Sequence, residues 1–452
     1  MGAPSACHPP PVLRLGALAQ GGRSLVRQGS RQHTCHELPR TCLWRRQYVL
    51  SEPLPRALAR LRVRGVHIGF DEQRIDSLGL FRQRLNASDP PVSHWSTCVP
   101  LVWWPLWGYN IGEFFQSSVL PVAELLAAKI MDRNIMLVPE VGGWPLKGFH
   151  HHLLRPFSSH PIRSSGQLAP RCTGTARCPE ARCFERILVC RFRDVYDHRP
   201  PIAPWSAARA IVESFRKPGV HTLVPRRSSL GPEAPFVVLF ATRRAAKNGA
   251  RLITNEAKLV ERCGRWRPLP GCLAASLDRA AAIEDGSGRV QARSVCSTHS
   301  FGARSLRADV EMVQDADVLI GTHGAALVHA IFMQSGGALI EVRPYGFEGR
   351  WPDQYHYSMA RQQNETHVFV ISTLNRYLCS PLPPANVTAW DARPLNTYVN
   401  LTVFDSALAA AACTSGRGGS GLGIIDHPSV LPVAAVSPFA YGSLHSVYFH
   451  NI

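Results

Sequence analysis

Hydrophobic positions are most ordered between residues 236 and 372. Phe236–Ala241 (FVVLFA) is a continuous apolar run, the pattern of a strand buried on both faces. Asn255 to Cys263 follows with helical spacing and Asn255 as its N-cap. Ser305–Gln314 predicts a second helix and Asp317–Ile320 a second strand, which runs into Gly321-Thr-His-Gly324. Ala325–Met333 predicts an apolar helix, stopped by Gly336-Gly337, and Ala338–Val342 a third strand. Strands alternating with helices imply a parallel, doubly wound α/β sheet.

Before position 236 the pattern is looser. Phe115, Val119, Val122, Leu126 and Ile130 recur at helical spacing and predict a helix over Phe114–Ile130, with a short buried strand at Ile135–Val138. Residues 156–182 read as a Ser-, Pro- and Cys-rich loop. Pro-rich stretches at 199–204 and 225–235 mark a domain boundary. The expected organisation is a disordered or targeting leader over 1–43, an acceptor-side lobe over 44–220 and a ligand-binding lobe over 221–375. An extension over 376–452 packs back in part and has a disordered end.

Composition bounds the function classes. The chain has 452 residues with 45% hydrophobic and 18% charged positions, which excludes a wholly disordered protein. No stretch approaches the roughly 18–20 apolar residues of a membrane span, so no anchor is visible. The net charge is +18, and only five of the 50 basic residues are lysine. Residues 1–60 carry +7 and residues 226–267 another +7, so these two blocks hold 14 of the 18 charges. The first 36 residues hold no acid, the composition of a transit peptide or of a start that omits an upstream signal anchor. Charge alone admits a nucleic-acid binder, but no RRM, KH, zinc-finger or helix-turn-helix pattern is present.

Cys172, Cys178, Cys183 and Cys190 match no zinc spacing, so disulfides and buried thiols are expected instead. Sequons at Asn86, Asn364, Asn386 and Asn400 lean towards the secretory pathway. The run His150-His-His152 reads as a surface loop, and Trp103, Trp104 and Trp107 as core.

The chemistry gathers at Gly321-Thr-His-Gly-Ala-Ala326. Small residues between a buried strand and a helix start let an anion meet backbone N–H groups at the carboxyl end of the sheet. His323 is placed to donate to a phosphate, with Gly321, Gly324 and Ala325 around it. The alternative is a glycine turn that only packs closely. Arg243 ends the FVVLFA run and faces the same crevice if the strands are neighbours, and Arg251 is a second phosphate contact. Glu341 lies inside an apolar strand, where a carboxylate needs a partner. Two readings stay open for it: a ribose hydroxyl, or an internal ion pair with Arg343.

These residues carry a family resemblance. Asp315 to Phe332 (DADVLIGTHGAALVHAIF), followed by Gly337 to Gly346 (GALIEVRPYG), resembles glycosyltransferase family 61. Upstream, Val238 to Arg243, then Arg251-Leu-Ile-Thr-Asn-Glu256, is similar to that family's strand–Arg and Arg-x-x-x-Asn-Glu segments. Arg182 to Val189 resembles its Cys-Phe block. Tyr109 to Phe114 resembles an N-terminal block in which Glu113 here stands where His is usual.

The resemblance implies two Rossmann-like lobes of the GT-B type. The C-terminal lobe would hold a UDP-sugar through Arg243, Arg251, Asn255, Gly321, His323, Gly324, Ala325 and Glu341. It implies inverting transfer of N-acetylglucosamine or xylose to a protein or polysaccharide hydroxyl, in the endoplasmic reticulum or Golgi, with no cofactor beyond the donor and no metal. Asp315-Ala-Asp317 has the spelling of a metal motif, but Asp317 opens a buried strand and reads as local capping. For the general base, Glu113 and Asp132 are the candidates. A catalytically silent, lectin-like or scaffold relative of the same fold is the alternative.

Overall fold

A computed structural model describes residues 34–44, 47–63, 73–83, 95–105, 107–141, 145–169, 181–192, 204–215, 235–243, 251–266, 293–334, 336–347, 367–414 and 446–451. The chain divides into two compact units, Met1–Ser214 and Phe215–Ile452. Cys172, Cys178, Arg226, Arg244 and the sequons at Asn86 and Asn364 lie outside the described residues. So do 1–33 of the leader and 415–445 of the extension.

The first unit holds β1 (Thr34–Trp44), β2 (Gln47–Leu50), a small ladder of β3 (Arg62–Val63) and β4 (Gln73–Arg74), β5 (Phe81–Gln83), β6 (Trp95–Ser96), β7 (Pro100–Trp103), β8 (Met136–Pro139) and β9 (Arg182–Arg191). Its mixed sheet runs β5-β2-β1-β9-β7-β8, with β6 also on β9. Residues 34–43, assigned to the leader by composition, form most of β1 in the middle of this sheet. The residues that hold it are cysteines. Cys35 faces Cys190 and Cys42 faces Cys183 across the antiparallel β1–β9 ladder, and both pairs are disulfides.

The expected Phe114–Ile130 helix starts earlier and stops earlier. It runs as Ile111–Phe114, a π turn Phe115–Val119, and Leu120–Ala127. Asn110 starts it by accepting from the Gly112 and Glu113 amides at 2.9 and 3.3 Å. Lys129 at φ 54° lies just beyond its end. The histidine run is not a surface loop but part of helix Gly148–Leu154. His150 is buried there because Lys147 N–H donates to its Nδ1 at 2.7 Å and its Nε2 meets the Gly108 carbonyl at 2.5 Å. Residues 156–182, expected as loop, include the helix Ser165–Leu168. Trp103 and Trp104 are core, as their pattern predicts.

The second unit is an all-parallel sheet of β10 (Phe236–Ala241), β11 (Ser294–His299), β12 (Val318–Thr322), β13 (Ala338–Arg343), β14 (His367–Thr373) and β17 (Ser446–Asn451), in the order β11-β10-β12-β13-β14-β17. β15 (Cys379–Ser380) and β16 (Asn396–Thr397) form a separate antiparallel ladder. The α/β expectation holds. β12 and β13 are buried at every position, as parallel strands covered on both faces must be.

One face packs Val238, Phe240, Ile320, Ile340 and Ile371 against Phe404, Ala407 and Leu408 of helix Leu401–Thr414 and Leu259 of helix Glu256–Arg265. Each fully buried Leu, Ile, Val or Phe contributes about 1.5–3 kcal/mol. The tail strand β17 adds itself beside β14, which no periodicity in the tail announces. Asp317 ties β12 to β10: its N–H donates to the Val237 carbonyl, and its Oδ2 accepts from Val237 N–H, both at 2.8 Å.

Candidate functional site

The sheet register brings the predicted residues to one edge. His299, Ala241, Gly321 and Glu341 are successive partners across β11, β10, β12 and β13, so their side chains share a face. Ala241 and Gly321 are small, and helix Ala325–Phe332 lies over them. A Cβ on Gly321 would stand 2.9 Å from Ala241 Cβ and 3.0 Å from Leu327 Cδ2. Gly321 is therefore a packing glycine. Its absent side chain admits Leu327, not a ligand.

Gly324 is different. Its backbone sits at φ 152° and ψ −178°, a region essentially confined to glycine. A Cβ there would overlap Arg243 Nη2 and lie 3.2 Å from Arg251 Nη1. The space a side chain would fill is taken by two guanidinium groups. Both converge on the His323 carbonyl: Arg243 Nη2 donates to it at 3.2 Å and Arg251 Nη1 at 3.0 Å. Arg251 is itself held at φ 50°, unusual for a non-glycine residue, and Thr322 Oγ1 donates to its carbonyl at 2.8 Å.

The electrostatics follow from this crowding. Burial pulls the Arg251 pKa down to about 9, with the Arg243 and Arg393 charges adding to the depression. Burial, then Arg393, also lowers Arg243. Among the described residues neither Arg243 nor Arg251 has an ion pair. An arginine keeps its proton even so.

His323 is buried and its Nδ1 bonds Glu341 Oε1. Glu341 is fully buried, and its Oε2 accepts from Arg343 Nε at 3.1 Å and Nη2 at 2.8 Å. Of its two open readings, the structure shows the ion pair. The carboxylate orients the imidazole by accepting from Nδ1. The Phe347 ring packs 4.7 Å from that of His323.

Other predicted residues take different places. Asn255 precedes helix Glu256–Arg265 as expected, yet its side chain does not cap it. It donates to the Val399 carbonyl at 2.8 Å and accepts from Val399 N–H at 3.0 Å, fixing a remote segment. The apolar helix after Gly324 is a 3₁₀ helix, Ala325–Phe332, with Ala325 at its start and Leu327 N–H donating to the Gly324 carbonyl. Its tighter, less well aligned turns weaken the expected anion-attracting end. Beside that end lie the guanidinium groups of Arg243 and Arg251.

Glu113 and Asp132 belong to the first unit. Glu113 is buried on the helix starting at Ile111, and Asp132 Oδ1 accepts from Asn134 N–H at 2.8 Å. Sequence reasoning missed the segment 396–399, which is tied to Leu252 and Asn255 by contacts 144 residues apart. A second find is His299, whose Nε2 bonds Asp309 Oδ1 at 2.8 Å at the edge of β11.

Residues 134–340 match the family Glycosyltransferase 61. A protein O-linked-mannose β-1,4-N-acetylglucosaminyltransferase 2 from Tetraodon nigroviridis is 24% identical over 260 residues, covering 54% of this chain and 37% of that protein. The chain thus spans little more than a third of that relative's length. The resemblance carried by the His-Gly-Ala block and the upstream arginines lies mostly inside the matched stretch. Residues 134–340 of this chain are a glycosyltransferase family 61 region.

Proposed function

We propose that the chain transfers a sugar from a UDP-sugar to a hydroxyl of a glycoprotein acceptor, by an inverting, metal-independent mechanism. The observation that carries this is the convergence of Arg243 and Arg251 on the His323 carbonyl, in the space left by Gly324. Departure of a nucleoside diphosphate builds negative charge on the leaving oxygen, and fixed cations there lower the barrier. Arginines supply that charge where other enzymes use a divalent ion. N-acetylglucosamine is the favoured sugar, since the relative's name specifies it, with xylose the competitor. That name also favours a sugar hydroxyl on a protein as acceptor over a wall polysaccharide.

Two α/β units, each with parallel strand pairs, support the reading of a GT-B architecture. The acceptor hydroxyl needs a base, for which Glu113 and Asp132 are the candidates. Disulfides Cys35–Cys190, Cys42–Cys183 and Cys263–Cys296 favour folding in an oxidising lumen, in the endoplasmic reticulum or Golgi. No helix among the described residues is long and apolar enough to cross a membrane.

The test is UDP release from UDP-N-acetylglucosamine and UDP-xylose, with EDTA present and absent. Wild type should release UDP in both conditions, and Arg243→Ala should lose most of it. Glu113→Gln or Asp132→Asn, whichever removes the base, should cut kcat by about 10²–10⁴ while UDP still binds. Activity unaltered by Arg243→Ala would sink the site. UDP binding without turnover would favour the silent relative.

A further inference from the structure

A second built cluster lies at the carboxyl edge of the parallel sheet. β11 ends at His299, and the chain turns through Ser300-Phe301-Gly302 towards helix Leu306–Gln314. Asp309 of that helix is buried and holds the turn together. Its Oδ1 accepts from His299 Nε2–H at 2.8 Å, and its Oδ2 from Gly302 N–H at 2.9 Å. Because the carboxylate takes the hydrogen on Nε2, the neutral ring keeps its lone pair on Nδ1. Among the described residues Nδ1 meets no other hydrogen-bonding group, and the side chain is 10% exposed.

Phe301 stands beside it. Its ring meets the His299 ring edge-on at 4.8 Å and stacks on the buried His329 ring at 4.2 Å. Phe301 itself is half-buried, so what remains uncovered is an aromatic surface fixed from behind. A fixed aromatic surface with a hydrogen-bonding group at its rim offers what a nucleobase needs: a face to stack on and an edge that is read.

The place of the cluster fits that chemistry. His299 and Gly321 both pair with Ala241, so they lie two strand spacings apart along the edge, about 10 Å. Arg243 and Arg251 converge on the turn that follows Gly321. The separation leaves room for a ribose between a diphosphate at that turn and a base at His299.

We propose that His299 and Phe301 form the nucleobase subsite of the donor site, and that His299 Nδ1 selects uracil by accepting from its ring N3–H. This rests on the donor reading above and extends it from the phosphates to the base. Cytosine presents a lone pair at the same ring position, where it would face the lone pair of Nδ1. Selection against it comes from that mismatch. Phe301 supplies stacking, which is indifferent to the identity of the base.

The experiment titrates the full chain with UDP, CDP and inorganic pyrophosphate, read by calorimetry beside a ligand-free melt of each variant. It uses wild type, Arg243→Ala, His299→Gln and Phe301→Leu. The glutamine amide N–H replaces Nε2–H at Asp309, and the lone pair of Nδ1 is lost. Wild type should bind UDP about 10-fold more tightly than CDP. His299→Gln should weaken UDP about 2- to 10-fold, as loss of one hydrogen bond does, and bring the two affinities together. Phe301→Leu should weaken both nucleotides alike, by about 5- to 150-fold. Pyrophosphate should bind both variants as it binds wild type, and Arg243→Ala more weakly. Should a variant fail to fold, the diphosphate of N3-methyluridine puts the same question to the unaltered chain, where it should bind no better than CDP.

Unchanged UDP affinity in both His299→Gln and Phe301→Leu, beside a weakened Arg243→Ala, would overturn this proposal and leave the donor reading standing. Pyrophosphate affinity falling in step with UDP in those two variants would overturn it as well, since the cluster would then serve the phosphate end. Equal wild-type affinity for UDP, CDP and the methylated nucleotide would overturn the selection by His299. Absence of UDP binding in wild type would overturn both readings.

Discussion

Gly324→Ala tests the site at its most crowded point. Two separate effects are expected. Alanine at φ 152° and ψ −178° costs about 1–3 kcal/mol of backbone strain. The new Cβ also meets Arg243, overlapping Nη2 and standing 3.0 Å from Cζ. The obstacle is the far end of a long side chain, so the guanidinium yields rather than the sheet. It then leaves the His323 carbonyl and the place where a phosphate is expected. Losing one charged hydrogen bond costs about 1.5–3 kcal/mol, or roughly 10- to 150-fold in affinity.

Stability and binding should therefore fall by separable amounts. A loss of about 1–3 kcal/mol leaves most of a typical 5–15 kcal/mol stability, so the variant still folds. For a unit of this size the melting temperature should drop by roughly 2–12 °C. Calorimetric titration with UDP, beside a thermal melt without ligand, reads the two effects. The variant Gly324→Ala/Arg243→Ala decides the mechanism. With the guanidinium already gone, alanine at 324 should add strain but almost no further loss of UDP affinity. Full additivity in binding, or wild-type UDP affinity in Gly324→Ala alone, would refute the claim that this glycine exists to admit Arg243.

Other outcomes follow from buried charge and covalent links. Glu341→Gln removes the carboxylate paired with the buried Arg343 and should cost about 3–5 kcal/mol in urea melts, while Glu341→Gln/Arg343→Met should recover much of it. Burial holds His150 neutral when folded, its pKa pushed down to about 4 from 6.5 against a raising bond to Gly108. Between those values the unfolded chain binds more protons, so stability is full above pH 6.5 and drains as pH falls towards 4. The loss is as much as about 3 kcal/mol, and His150→Gln should flatten that slope in melts at pH 7.5 and 5. Cys35–Cys190 and Cys42–Cys183 join the same two strands. Removing either should open only a loop of about 15 residues and cost about 3 kcal/mol. Removing both frees the long connection and should cost more than twice that in denaturant melts. Strict additivity would argue against loop closure as their contribution.

The parts of the fold that were legible share one property: they bury a local pattern on both faces. FVVLFA, VLI and ALI declare parallel strands because nothing polar interrupts them, and Gly-Thr-His-Gly declares the turn between strand and helix. β1 did not declare itself. Its sequence, TCHELPRTCLW, mixes proline and charge with apolar residues, and two disulfides rather than periodicity fix it in the sheet. The histidine run misled for the opposite reason. Three adjacent polar residues look solvated until Lys147 N–H and the Gly108 carbonyl satisfy both nitrogens of the one that turns inward.

The site divides along the same line. Arg243 and His323 were visible because each ends a strand, and strand ends meet at one edge of a parallel sheet. What sequence could not separate was the purpose of two glycines in one turn. Gly321 makes room for Leu327, and Gly324 makes room for Arg243. Spelling is the same at both positions; only the neighbour differs. The tie between 396–399 and 252–255 was hidden by distance along the chain, since nothing in Asn-Thr-Tyr-Val points to Leu252. The +18 charge acquires a location from this. Whatever the bias towards arginine across the chain, two arginines from two separate stretches meet at one histidine carbonyl. Two half-buried guanidinium groups held on one carbonyl are a physical reason to expect an anion there, more than any total charge is.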